Sequence, residues 1–143
     1  MIFDKIVDEP SAFAPVKRLV RHGAIELLVT HVQMDQIEDT PHEGRRKRLL
    51  RLVPWVRVVP THGAIYGVSK FGMATYTSEA VERDIDAIAR RNRARDALIG
   101  VTARWDGVTL VTEDKDLARD AATLGAAVLN WSEFMAGLKA IRV

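Results

Sequence analysis

Asp4, Asp35, Asp96, Asp114 and Asp116 are the side chains with which this sequence can do chemistry. All but Asp35 fall where an element predicted from the local pattern begins or ends. Asp4 closes an apolar start at residues 1–3 that reads as a strand. Asp35 lies on a helix predicted over 31–38, directly after a strand at 25–29. Asp96 opens a helix predicted over 95–105. Thr112, Glu113, Asp114 and Asp116 cluster at the end of an apolar strand at 108–112. Carboxylates gathered at one edge of a sheet repel one another unless a positive charge joins them or some keep their protons. Oxygen donors of this kind suit Mg2+ or Mn2+, which retain water and need few protein ligands. Two such ions clamp the attacking and leaving oxygens of a phosphodiester. The chemistry expected from these residues is metal-dependent phosphoryl chemistry.

Other chemistries are poorly supplied. The chain has no cysteine, which removes thiol catalysis, thiolate zinc sites and disulfides, and fits a reducing compartment. His22, His31, His42 and His62 lack metal-ligand spacing. No Ser-His-Asp arrangement and no phosphate-binding glycine loop is evident. A phospho-receiver domain also carries acids at strand ends, but it needs a second acid after the first strand and a lysine after the last. Asp4-Lys5 and Asn130-Trp131 provide neither.

The elements that must position the acids follow from periodicity and punctuation. Ser11 begins a helix running to Arg21, with Phe13, Val16, Leu19 and Val20 on one face and Gly23 at its end. After the break at Pro41 and Gly44, residues 45–52 form a helix, followed by a short strand at 56–59; 61–77 reads as loop. Ser78 caps a helix over 78–91. The helix at 95–105 ends at Gly107, a helix over 114–124 ends at Gly125, and a strand at 126–129 precedes a helix over 131–138. The second half thus alternates helix and strand with two- or three-residue connections. That order predicts an α/β fold with three layers, α/β/α, around a central parallel sheet, and such sheets collect ligands at the carboxyl ends of their strands.

The chain's 143 residues suit one domain, residues 1–143, with a single core. Hydrophobic residues make up 48% and charged residues 28%, a globular balance. The formal net charge is +2, which allows nucleic-acid contact without requiring it. The longest uncharged runs, 58–69 and 121–132, have 12 residues each, too short for a bilayer. Asp4, Asp8 and Glu9 interrupt the place of a signal-peptide apolar stretch. The expectation is a soluble cytoplasmic protein with no membrane contact.

The run Arg95-Asp96-Ala97-Leu98-Ile99-Gly100-Val101-Thr102-Ala103, followed by Leu110-Val111-Thr112-Glu113-Asp114-Lys115-Asp116-Leu117, resembles the C-terminal signature of PIN domains. There an Asp opens a helix of small residues and the next strand ends in a Thr-x-Asp-x-Asp-like turn. Gly125–Leu129 and the helix start at Trp131 extend the likeness over roughly the last 50 residues. The resemblance implies a doubly wound fold, one or two Mg2+ or Mn2+ ions, and cleavage of single-stranded RNA by a metal-activated water. In VapC-type members it also implies a toxin role with a cognate antitoxin partner, and relatives are commonly homodimers. Residue by residue it makes Asp4, Asp35, Asp96 and Asp114 catalytic, with Asp4, Asp96, Asp114 and Asp116 on the metal and Thr112 supporting. Where the family carries a Glu this chain has Gln36, with Asp35 before it, and Lys5-Ile6 replace the usual residues after the first acid. Those departures open an alternative, a catalytically degraded module that binds RNA or a protein partner without cleavage.

Ordinary structural duties compete for the same residues. Asp96 and Asp114 suit helix N-termini, where the macrodipole and free N–H groups favour acids. Gly100 and Ala103 on the Asp96 face leave room for a ligand. Arg45, Arg46, Lys47 and Arg48 are either the wet side of an amphipathic helix or a phosphate-binding strip for RNA.

Overall fold

Phe3, Ile6 and Val7 recur at helical spacing and all three are buried, so the start of the chain winds into helix α1 (Ile2–Asp8). The computed structural model describes residues 2–75 and 77–143, so Met1 of the strand expected at 1–3 lies outside the described residues. Ile2 and Phe3 are helical, and Asp4 sits within a helical turn rather than at a strand end. Helix α2 (Pro10–Arg21) follows with Pro10 in its first turn, where a missing N–H costs nothing, and buries Phe13, Val16 and Leu19.

The chain continues through β1 (Leu28–Val29), α3 (His31–Glu38), α4 (Glu43–Leu50), a 3₁₀ turn at Val53–Trp55, and β2 (Arg57–Val58). Then come β3 (Thr61–His62), β4 (Ala74–Thr75), α5 (Glu79–Ala89), α6 (Ala94–Asp106), β5 (Leu110–Val111), α7 (Lys115–Thr123), β6 (Val128–Leu129) and α8 (Trp131–Ala140). The helices at 31–38 and near 78–91, 95–105, 114–124 and 131–138 stand where the sequence puts them. Ser78 accepts from Val81 N–H, and Asn130 and Glu133 form a reciprocal capping box.

The three-layer α/β/α architecture with a central parallel sheet is not what forms. The structure is 57% helical, and among the described residues the strands make three separate two-stranded parallel pairs, β1 with β2, β3 with β4 and β5 with β6. Each strand has two residues, and β1, β5 and β6 are shorter than the apolar runs that contain them. A short apolar run is consistent with a buried strand, but periodicity alone does not establish one. With residues 2 and 3 in a helix, no further strand joins the pairs among the described residues.

Two apolar clusters hold the helices. One gathers Phe3 and Ile6 of α1, Val16 and Leu19 of α2, Leu49 of α4, and Trp131 and Leu138 of α8. The other surrounds α6, whose Leu98 and Val101 are fully buried against Ile85 and Ile88 of α5 and Leu117 of α7. Pair β3–β4 is tied to α6 through Thr102, which donates to Leu98 O at 2.7 Å and accepts from His62 N–H at 3.0 Å. Among the described residues no helix is long and apolar enough to cross a membrane.

Gly63 follows β3 at φ +79°, and a Cβ there would approach Ile85 Cδ1 at 2.6 Å and Val81 Cγ1 at 3.0 Å. Gly63→Ala is therefore expected to cost about 1–3 kcal/mol from left-handed backbone strain and crowding of α5. Urea unfolding should show a lower midpoint with an unchanged slope, and an unchanged midpoint would refute that account.

Candidate functional site

Asp96 occupies the first turn of α6, and the burial of that helix fixes where its carboxyl goes. Asp114 is the N-cap of α7, directly after β5, and its Oδ1 accepts from Asp116 N–H at 2.9 Å and Leu117 N–H at 3.0 Å. Those two bonds lock the side chain and leave Oδ2 without a hydrogen bond among the described residues. Thr112 supports the turn, its Oγ1 accepting from Asp114 N–H at 3.1 Å.

Both acids line one cavity of about 830 Å³. Its walls are mostly apolar, with Leu28, Val29, Leu110 and Val111 from two strand pairs, and its polar lining includes Gln33 and Gln36 of α3. Burial raises the Asp96 carboxyl above its ordinary range, and the negative charge of Asp114 raises it further, with Arg93 pulling weakly the other way. A half-buried carboxyl pushed up by burial and by a second carboxylate in a cleft is a candidate for a functional site.

The other acids are brought elsewhere. Asp4 lies on α1, where Oδ1 accepts from Arg45 at 2.8 Å, and it does not line this cavity. Arg45 also bonds Asp8 at 2.9 Å, which holds the Asp8 carboxyl below its usual range. Asp35 pairs with Lys70, and Asp116 with Arg119 at 3.0 Å. Among the described residues no three His, Cys, Asp or Glu side chains are grouped to hold one metal ion. The structure thus unites Asp96 with Asp114 and leaves Asp4, Asp35 and Asp116 in separate ion pairs.

The basic strip is similarly divided. Arg45 is engaged with Asp4 and Asp8, Arg46 donates to Thr40 O at 3.2 Å, and Lys47 pairs with Glu43 at 2.6 Å; Arg48 is exposed. Gly100 does not open space for a ligand. A Cβ there would meet Ile88 Cδ1 and Leu117 Cδ1, both at 3.1 Å, so its small size serves the packing of α6 against α5 and α7.

Several features escape sequence reasoning. Gln33 joins a capping box with Thr30 at the end of β1, its Oε1 accepting from Thr30 N–H at 2.6 Å. The Thr30-x-x-Gln33 spacing is a visible signal for it. Glu113 accepts from Trp131 N–H at 2.7 Å and so fastens β5 to the start of α8, a contact 18 residues apart that no local pattern announces. Buried His31 has no partner for either ring nitrogen among the described residues.

Comparison with protein-family models, curated proteins and solved structures finds no match to this chain.

A carboxyl with a raised folded-state pKa binds its proton more tightly in the folded than in the unfolded chain. The fold therefore gains stability as pH falls through that value and loses it above. Asp96→Asn is expected to raise Tm at pH 7, with the advantage shrinking as pH approaches the unfolded carboxyl value near 4. Thermal melts across that range check it; a variant less stable at pH 7 would contradict the assigned repulsion.

Proposed function

We propose that this chain is a divalent-metal-dependent ribonuclease whose metal site is organised around Asp96 and Asp114. The observation that carries the reading is the sharing of one cavity by two carboxylates, with the half-buried Asp96 carboxyl pushed up by burial and by Asp114. The likeness of residues 95–117 to PIN domains supports the same chemistry. Mg2+ is commonly bound by one or two carboxylates, with water and substrate phosphate completing its octahedron, so a two-acid site fits it. A bound Mg2+ or Mn2+ would supply positive charge at the scissile phosphate and favour ionisation of the attacking water.

The chain's own residues then have distinct tasks. Asp114 would present Oδ2 while two backbone N–H groups hold Oδ1. Asp96 would provide the second carboxylate, and its partial burial strengthens attraction to a cation. The amides of Gln33 and Gln36 line the same cavity and can bond phosphate or ribose oxygens. Arg48, exposed on α4, would contribute to a salt-sensitive attraction for RNA.

A second reading, a module that binds RNA or a protein partner without cutting, is favoured by the ion pairs that engage Asp4, Asp35 and Asp116. Calorimetric titration separates the two, since the nuclease reading requires millimolar Mn2+ to bind.

On the nuclease reading, purified protein cuts single-stranded RNA with added Mn2+ and stops with chelator. Asp96→Asn and Asp114→Asn each abolish most cleavage; cutting at the wild-type rate by either variant would refute the mechanism. A tenfold excess of Mn2+ over its Kd should stabilise wild type by about 1.4 kcal/mol and leave Asp96→Asn much less affected. Equal stabilisation of both would place the ion elsewhere.

A further inference from the structure

Strands β1 and β5 each pair along one edge only among the described residues. In a parallel pair, successive residues turn their N–H and C=O to alternate edges. Arg57 N–H donates to Leu27 O at 2.8 Å and Val59 N–H to Val29 O at 2.7 Å, so residues 27 and 29 face β2. The N–H and C=O of Leu28 are thereby directed to the opposite edge. On β5, Leu110 N–H donates to Ala127 O at 2.8 Å and Thr112 N–H to Leu129 O at 3.0 Å. Val111 accordingly turns its main-chain groups away from β6. Leu28 and Val111 both line the 830 Å³ cavity.

Unpaired strand edges at an apolar cavity are costly, because each amide or carbonyl removed from water needs a partner. The exposed area points the same way. The chain exposes 8610 Å², whereas a compact monomer of 16.0 kDa is expected to expose roughly 7,400 Å². Charge completes the pattern: Asp96 and Asp114 add two carboxylates to the same lining, and the pull of Asp114 on Asp96 exceeds the opposing pull of Arg93.

We propose that this cavity is a docking slot for an extended, apolar segment of a protein partner that carries one basic side chain. The segment enters as a β-strand, exchanging main-chain hydrogen bonds with Leu28 and Val111 while its basic group meets Asp96 and Asp114. This is recognition by strand addition, with main-chain bonds supplying affinity and side-chain fit supplying selectivity. A small apolar molecule would occupy the volume but leave both edges unpaired, and a cation alone would answer only the acids.

The inference rests on the strand edges and the cavity, not on the nuclease reading, and it is tested in chelator with no RNA present. The probe is a fluorescein-labelled synthetic peptide of alternating valine and isoleucine ending in lysine, titrated into the full chain by anisotropy. Two control peptides are its backbone N-methylated form and a form with the lysine replaced by glutamate. The parent peptide is expected to bind saturably, with each control weaker by about tenfold or more. Amide exchange gives the location: Leu28 and Val111 N–H groups exchange faster than those of Val29 and Leu110 in the free protein, and become protected with peptide. Absence of saturable binding overturns the proposal. So does equal binding of the N-methylated peptide, or protection that appears elsewhere while Leu28 and Val111 stay unchanged.

Discussion

Helix α6 is enclosed along most of its length, and this enclosure is the constraint from which the candidate site follows. Leu98 and Val101 are fully buried, and Gly100 lets α5 and α7 approach to ordinary contact. A helix held on so many sides cannot rotate to place its first-turn acid in open water. Asp96 is thus kept half-buried beside the cavity, while the N-cap geometry of Asp114 holds a second carboxylate in the same lining. Asp114 cannot turn away without breaking its cap. Repulsion of this kind is a local cost that a well-packed scaffold can sustain.

The separation of the strand pairs has the opposite character, an opening where packing stops. In α/β proteins a central strand joins its neighbours and buries both of its faces. Here α1 occupies the start of the chain, and Phe3 and Ile6 face both the apolar cluster and the cavity lining. The opening is bordered by β1 and β5, so main-chain groups, apolar walls and the acid pair belong to one recess. Ligand binding and fold completion are therefore physically linked: any occupant that satisfies the edges also brings charge or bulk near Asp96 and Asp114.

Local patterns in the sequence carry local structure well. The helix at 31–38, the Ser78 and Asp114 caps, and the helix ends at Gly107 and Gly125 all follow from residue types within one or two turns. The start of the chain was also legible in principle, since the Phe3, Ile6, Val7 spacing is helical and outweighs the apolar look of residues 1–3. Long-range relations were not. Asp4 and Asp8 share Arg45 across 41 and 37 residues, and Asp35 reaches Lys70 across 35. Those charges occur in a chain with many alternatives, and nothing in their spacing selects the partner. The β3–β4 pair was equally hidden, because Thr61 and Ala74 meet across a glycine-rich stretch that reads as loop. Of the site, the pairing of Asp96 with Asp114 follows from elements placed by sequence, whereas the cavity and the strand edges emerge only from tertiary packing.

The claim on which the account turns is that Asp96 and Asp114 feel each other's charge inside one recess. Carboxyl-carbon NMR titration of Asp96, in the wild-type chain and in Asp114→Asn, measures this directly. The account predicts that Asp96 titrates above the ordinary aspartate value of about 3.9 and moves down toward it when Asp114 is neutralised. An ordinary value unaffected by Asp114→Asn would contradict it.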